Sequence, residues 1–245
     1  MNRLLGLITV ILLFAFSSIA QTGMAAKPTP DKPATAVANA SLDLAKATVA
    51  AHGGEKLRTM KSLVTKGTAD VTFMGQALPG AFSMAFSRDK YYLEITTAFQ
   101  SIKQIFDGHD TYSSLPGFSL PPMTSLGFPL LTRVGDEGFV VTGVPDDKKK
   151  RKGFRLSTPE GFYTDFFINE KTGQIKSYES SYATSGGNAS TSVEIDEFQT
   201  VEGVVVPKKY SQRLELGQIT AYANFNTKTI LVNSAIEADA FALPK

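Results

Sequence analysis

Residues 61–97 read KSLVTKGTADVTFMGQALPGAFSMAFSRDKYYLEITT, and the apolar period in this stretch is two. Leu63, Ala69, Val71 and Phe73 alternate with Lys66, Thr68, Asp70 and Thr72. Phe82, Met84 and Phe86 alternate with Ser83 and Ser87, and Tyr91, Leu93 and Ile95 with Lys90, Glu94 and Thr96. Side chains on a strand point to opposite faces in turn, so this pattern predicts strands with one dry and one wet face. That is the habit of antiparallel sheets.

The pattern continues downstream. Phe162, Phe166 and Ile168 share a parity, as do Val193 and Ile195, while Tyr210, Leu214 and Leu216 alternate with Lys209, Arg213 and Glu215. Turn chemistry falls between these runs at Asp107-Gly108, Pro159-Glu160-Gly161, Lys171-Thr172-Gly173, Ser185-Gly186-Gly187-Asn188, Glu202-Gly203 and Leu216-Gly217. The spacing predicts about ten or eleven strands in up-and-down order. A single curved antiparallel sheet, closed or half closed, is the natural packing for a mainly β chain of this kind.

Upstream the period changes. Leu42, Ala45 and Val49 fall three or four apart behind Asn39 or Ser41, which predicts a capped helix that stops at Gly53-Gly54. His52 closes this helix, where a cationic side chain meets the helix dipole in a structural role. Residues 21–40 carry Pro28, Pro30 and Pro33 and read as a flexible linker. Residues 1–20 read as a cleaved signal peptide: Arg3, an apolar run from Leu4 to Phe16, then small residues up to Ala20. The folded domain is then expected over residues 41–245, outside the cytoplasm and, in a chain with no cysteine, without an acyl anchor or disulfides.

One segment breaks the strand pattern. Residues 115–131 read LPGFSLPPMTSLGFPLL, too proline-rich for a regular strand or long helix, yet strongly apolar. Such a loop either packs into the core or forms a lid over a ligand cavity. The run Lys148, Lys149, Lys150, Arg151 and Lys152 reads as a solvated hairpin tip, with contact to anionic headgroups as the sharper alternative.

The chemistry of catalysis is not legible. The chain has two histidines and none of the hydrolase, zinc-protease or nucleotide-binding motifs. His109 sits in Asp107-Gly108-His109-Asp110, a good polar turn. The carboxylates Asp146-Asp147 and Glu194/Asp196 read as solvated surface. No cofactor, metal site or catalytic residue is expected. A formal net charge of +2 argues against nucleic acid as a partner.

Several stretches in order resemble a known group. These are Gly53-Gly54-Glu55-Lys56-Leu57 leading into residues 61–67, then Gln104 to Gly108 with Tyr112. Asp165 to Ile168 with Asn169-Glu170-Lys171-Thr172-Gly173 follow, then Val201 to Pro207, and Ala240 to Pro244 at the end. Their order is similar to that in the periplasmic outer-membrane lipoprotein-sorting proteins of the LolA/LolB-like superfamily. The resemblance implies an unclosed, half β-barrel with helices covering the concave face. It also implies a periplasmic carrier, not an enzyme, for lipoprotein acyl chains or lipid.

On that expectation the candidate cavity residues are the parity sets Phe82, Met84, Phe86, Leu93, Ile95, Phe166 and Ile168. Phe118, Leu120, Met123, Phe128 and Leu130 of the apolar loop join them as cavity or lid. The alternative is an envelope sensor or assembly module that binds a protein partner through the same fold, and a hydrolase built on His109 ranks last.

Overall fold

A computed structural model describes residues 32–73, 75–114, 124, 126–145, 151–184, 187–237 and 239–244, without the side chains of residues 32–38 and Thr184. Helix α1 spans Lys32–Ala51 and α2 spans Glu55–Arg58. The strands are β1 (Leu63–Phe73), β2 (Gln76–Ser87), β3 (Lys90–Thr97), β4 (Ser101–Phe106), β5 (Thr111–Ser113) and β6 (Val140–Thr142). They continue as β7 (Gly153–Ser157), β8 (Tyr163–Ile168), β9 (Ile175–Thr184), β10 (Gly187–Val201), β11 (Val204–Leu216) and β12 (Ile219–Val232).

Among the described residues these form one 12-stranded sheet, in the order β5-β4-β3-β2-β1-β12-β11-β10-β9-β8-β7-β6, with neighbours antiparallel. The meander is therefore joined through its first and last strands, with Leu63 opposite Val232 and Phe73 opposite Ala221. The sheet is left open at β5 and β6, on either side of the proline-rich segment. The strand count exceeds the ten or eleven expected, since β5 and β6 have three residues each and so short a run shows no repeat. Short edge strands also blunt the pairing that an open sheet invites.

The helical boundary differs from the sequence reading. Residues 32–40, read as linker, are the first turns of α1. Pro33 lies in the first turn, where a missing N–H breaks no bond, and the alanines that follow favour helix. At the other end Gly54 N–H donates to Val49 O at 2.8 Å and Gly53 N–H to Ala50 O at 3.2 Å, the two bonds of a Schellman stop. Gly53 has φ +114, and a Cβ there would lie 2.4 Å from the Gly203 carbonyl oxygen. Only glycine lets the helix end press onto the β10–β11 turn.

Ala45 and Val49 of α1, with Leu57 of α2, pack on Phe154, Leu156, Phe166, Ile168, Ile175 and Val204. The helices thus cover one end of the concave face. A 3-10 turn, Phe128–Arg133, adds Phe128, Leu130 and Leu131 to the same core. On the convex face Phe241 packs on Ala85 and Ile105 beside Val64, Tyr92 and Tyr112. No helix among the described residues is long and apolar enough to cross a membrane.

Candidate functional site

Toward the hairpin tips the concave face is not filled. Leu63, Thr65, Val71 and Phe73 of β1 continue across the sheet through Met84, Leu93 and Gln104 on one side. Tyr210, Gln212 and Leu214 of β11 and Val193 of β10 form the opposite wall. Together they enclose a cavity of about 260 Å³. Among the described residues its lining contains no Asp, Glu, Lys, Arg or His.

The floor comes from the 3-10 turn and the residues before it: Leu126, Gly127, Phe128 and Pro129. Gly127 has φ +68, and a Cβ there would lie 3.0 Å from the Tyr178 ring. Its N–H donates to Thr164 Oγ1 at 3.0 Å, and Thr164 Oγ1 lies 2.8 Å from Ser180 Oγ in a buried polar chain. The described end of the apolar segment therefore does two things. Leu130 and Leu131 are fully buried core, while Leu126 and Phe128 face the cavity.

The mouth lies at the tips. Antiparallel order places the β1–β2, β3–β4, β7–β8, β9–β10 and β11–β12 turns at one end of the sheet. Residues 71–82, 95–102, 180–193 and 216–227 contain no Asp, Glu, Lys, Arg or His, while the β7–β8 turn carries Glu160. Phe73 and Ile219, on the cavity rim, are 38% and 47% exposed, and Phe99 of the β3–β4 tip is 82% exposed. Charge collects at the opposite end, in Arg88-Asp89-Lys90, Asp107 to Asp110, Glu170-Lys171 and Glu202.

Polar groups on the cavity wall are neutral. Burial pushes the Tyr91, Tyr178 and Tyr210 hydroxyls well above their ordinary range, and Tyr182 up to about 12, so all four stay protonated. Tyr91 donates to Met84 Sδ at 3.8 Å, a weak bond. Gln212 Nε2 donates to Thr191 Oγ1 at 3.0 Å. The Thr65 hydroxyl is buried without a hydrogen-bond partner.

The candidates named from sequence separate. Met84, Phe86, Leu93, Ile95 and Phe128 stand on the cavity wall. Phe82 does not: it is 3% exposed and packs edge-on against Phe225 at 5.1 Å. Leu130, Phe166 and Ile168 also stand away from it, in the core beneath the helices, because the helices and the 3-10 turn cover that part of the dry face. Phe118, Leu120 and Met123 lie outside the described residues, as do Lys148, Lys149 and Lys150.

Of the basic run, Arg151 pairs with Glu179 at 2.7 Å and lies over the Phe167 ring, and Lys152 meets Glu170 at 3.7 Å. Sequence reasoning missed Tyr91, Tyr178, Tyr182, Tyr210, Tyr222 and Gln104 as wall residues. Tyr91 and Tyr210 share the dry-face parity of their strands, which is the signal available for them.

Other chemistry is quiet. Asp107 Oδ1 accepts the N–H groups of His109 and Asp110 at 2.8 Å each, so the exposed His109 sits in a polar turn. No cluster among the described residues could hold a metal ion. A polar depression on the convex face, of about 310 Å³, is lined by Asp165, Glu179, Arg213 and Glu215. Asp165 and Glu179 are paired to Arg155 and Arg151, and Arg213 is paired to Glu215.

No protein-family model and no curated protein sequence matches the chain. Solved structures do. A LolA superfamily protein from Nitrosomonas europaea is similar at TM-score 0.48 and 11% identity, over 84% of this chain and 98% of that one. A DUF1329 family protein from Desulfovibrio piger is similar at TM-score 0.48 and 9% identity, over 84% and 97%. A domain assigned to the outer membrane lipoprotein-sorting proteins, from Vibrio parahaemolyticus, is similar at TM-score 0.40 and 10% identity, over 84% and 97%.

Proposed function

We propose that this protein is a periplasmic carrier that holds an apolar chain, such as an acyl chain of a lipid or lipoprotein, in the cavity of its half barrel. One observation carries the reading: the cavity is lined by apolar and neutral side chains, with no Asp, Glu, Lys, Arg or His among its described lining residues. A chain moving from an apolar environment into this site meets no charge to desolvate. Relative to water, each methylene held in the cavity contributes about 0.8 kcal/mol. The lining brings together no nucleophile and base, so the site is read as a place to hold a ligand and not to transform it. Residues 1–20 would direct export and be removed, leaving the domain free in the periplasm.

Native mass spectrometry of the protein taken from its own envelope tests this. The expected result is a bound lipid or lipidated species. Protein that emerges empty, and that also ignores fatty acids and lipoproteins when they are offered, overturns the proposal.

A further inference from the structure

We infer that the ligand is an uncharged lipid whose carbonyl group, an ester or a ketone, bonds the polar side chains of the cavity wall, Tyr178, Tyr210 or Gln104. This rests on the carrier reading and narrows its ligand class. Tyr91, Tyr178 and Tyr210 all stand on the cavity wall, on β3, β9 and β11. The three strands come from both walls of the curled sheet, so the hydroxyls form a belt around the ligand path.

The belt has donors to spare. Tyr178 Oη accepts the Phe128 backbone N–H, which leaves its own proton to donate. Among the described residues no hydrogen bond is made by the Tyr210 hydroxyl or the Gln104 side-chain amide, and both side chains line the cavity. Neutral polar groups that face an apolar cavity without a protein partner are free to bond a ligand placed there. The surplus of donors calls for an acceptor. The absence of any cation on the lining argues against a carboxylate or phosphate, which would be buried uncompensated. A carbonyl is a strong neutral acceptor that meets these donors.

Displacement of an environment-sensitive naphthylamine dye from the purified protein tests this, with dodecane, methyl laurate, undecyl methyl ketone and laurate as competitors. Methyl laurate or the ketone is expected to displace the dye at about tenfold lower concentration than dodecane, the effect of one or two neutral hydrogen bonds. The order of these two tells ester from ketone. Tyr210→Phe, which keeps the ring stacked on Phe225, and Gln104→Leu should each reduce that advantage while leaving dodecane unchanged. Equal displacement by dodecane and both carbonyl compounds overturns the inference. So does laurate as the strongest competitor, or a full carbonyl advantage in both variants. A folded protein that takes up neither the dye nor any competitor overturns the carrier reading itself.

Discussion

His52 Nε2 accepts the Ile175 N–H at 3.1 Å, while His52 Nδ1 donates to Val205 O at 2.9 Å. One side chain, 0% exposed, therefore ties the end of α1 to β9 and β11, with Phe128 and Phe198 edge-on to its ring at 5.5 and 5.1 Å. An imidazole that donates from one nitrogen and accepts at the other is neutral. The cationic contact with the helix dipole expected from sequence is replaced by this neutral staple, and burial lowers the His52 pKa below 6.5.

A pH dependence follows. The folded pKa is depressed, so the unfolded chain binds the proton first, and the stabilisation is complete above about pH 6.5 and lost as pH falls toward the folded pKa. Denaturant titration of the wild type should give a lower midpoint at about pH 5.5 than at about pH 7.5. His52→Leu should lose this share of the slope. It should also lose about 2–4 kcal/mol at neutral pH, since two buried backbone groups lose their partner. An unchanged slope in the variant would assign the pH dependence elsewhere.

Gly127 is the second position where the backbone decides the side chain. Its positive φ strains any other residue there, and the Tyr178 ring at 3.0 Å crowds a Cβ. Gly127→Ala should cost about 1–3 kcal/mol by denaturation, from strain at this φ and displacement of the ring. Dye binding should weaken with it, because the same turn floors the cavity.

Filling the cavity should separate binding from folding. Leu93→Trp places a larger apolar side chain into open space on the β3 wall. Dye uptake should fall at least tenfold, while the melting temperature moves by only a few degrees, as for a change of about 1 kcal/mol. Unaltered uptake would place the dye outside this cavity.

The convex face should behave as scaffold. Arg155 donates from Nε to Asp165 Oδ1 at 2.7 Å and from a terminal nitrogen to Oδ2 at 2.8 Å, with its guanidinium 3.8 Å from the Tyr163 ring centre. Asp165→Asn keeps the shape and removes the charge-assisted pair, at a cost of about 1–3 kcal/mol. Dye affinity should not change. A loss of affinity with stability intact would connect this face to the site.

Phe241, 7% exposed, anchors the C-terminal segment over Ala85 and Ile105. Phe241→Ala should cost about 3 kcal/mol, the usual result of truncating a buried aromatic. Thermal denaturation measures it directly, and a change under about 0.5 kcal/mol would mean that this segment contributes no packing.

Much of this was legible residue by residue. The parity of Leu63 to Phe73 and of Phe82 to Ile95 placed their dry sides correctly, since side-chain direction along a strand is a local property. The Gly53-Gly54 stop was equally local. Residues 32–40 misled because prolines are counted against helix, although Pro33 sits where a helix tolerates one. Strands β5 and β6 were invisible because pairing, not period, defines them.

By itself the sequence determined which side of each strand is dry and where the turns fall. Each of these depends on neighbours a few residues away. Only the tertiary structure decided that Phe166 and Ile168 are covered core while Met84 and Leu93 face open space, although all four share the dry face. What covers a residue is set by elements remote in sequence: α1, α2 and the 3-10 turn fill one end of the concavity and stop short of the other. The pairing of β1 with β12 likewise joins residues 63 and 232, and it brings Tyr91, Tyr178 and Tyr210 to one cavity.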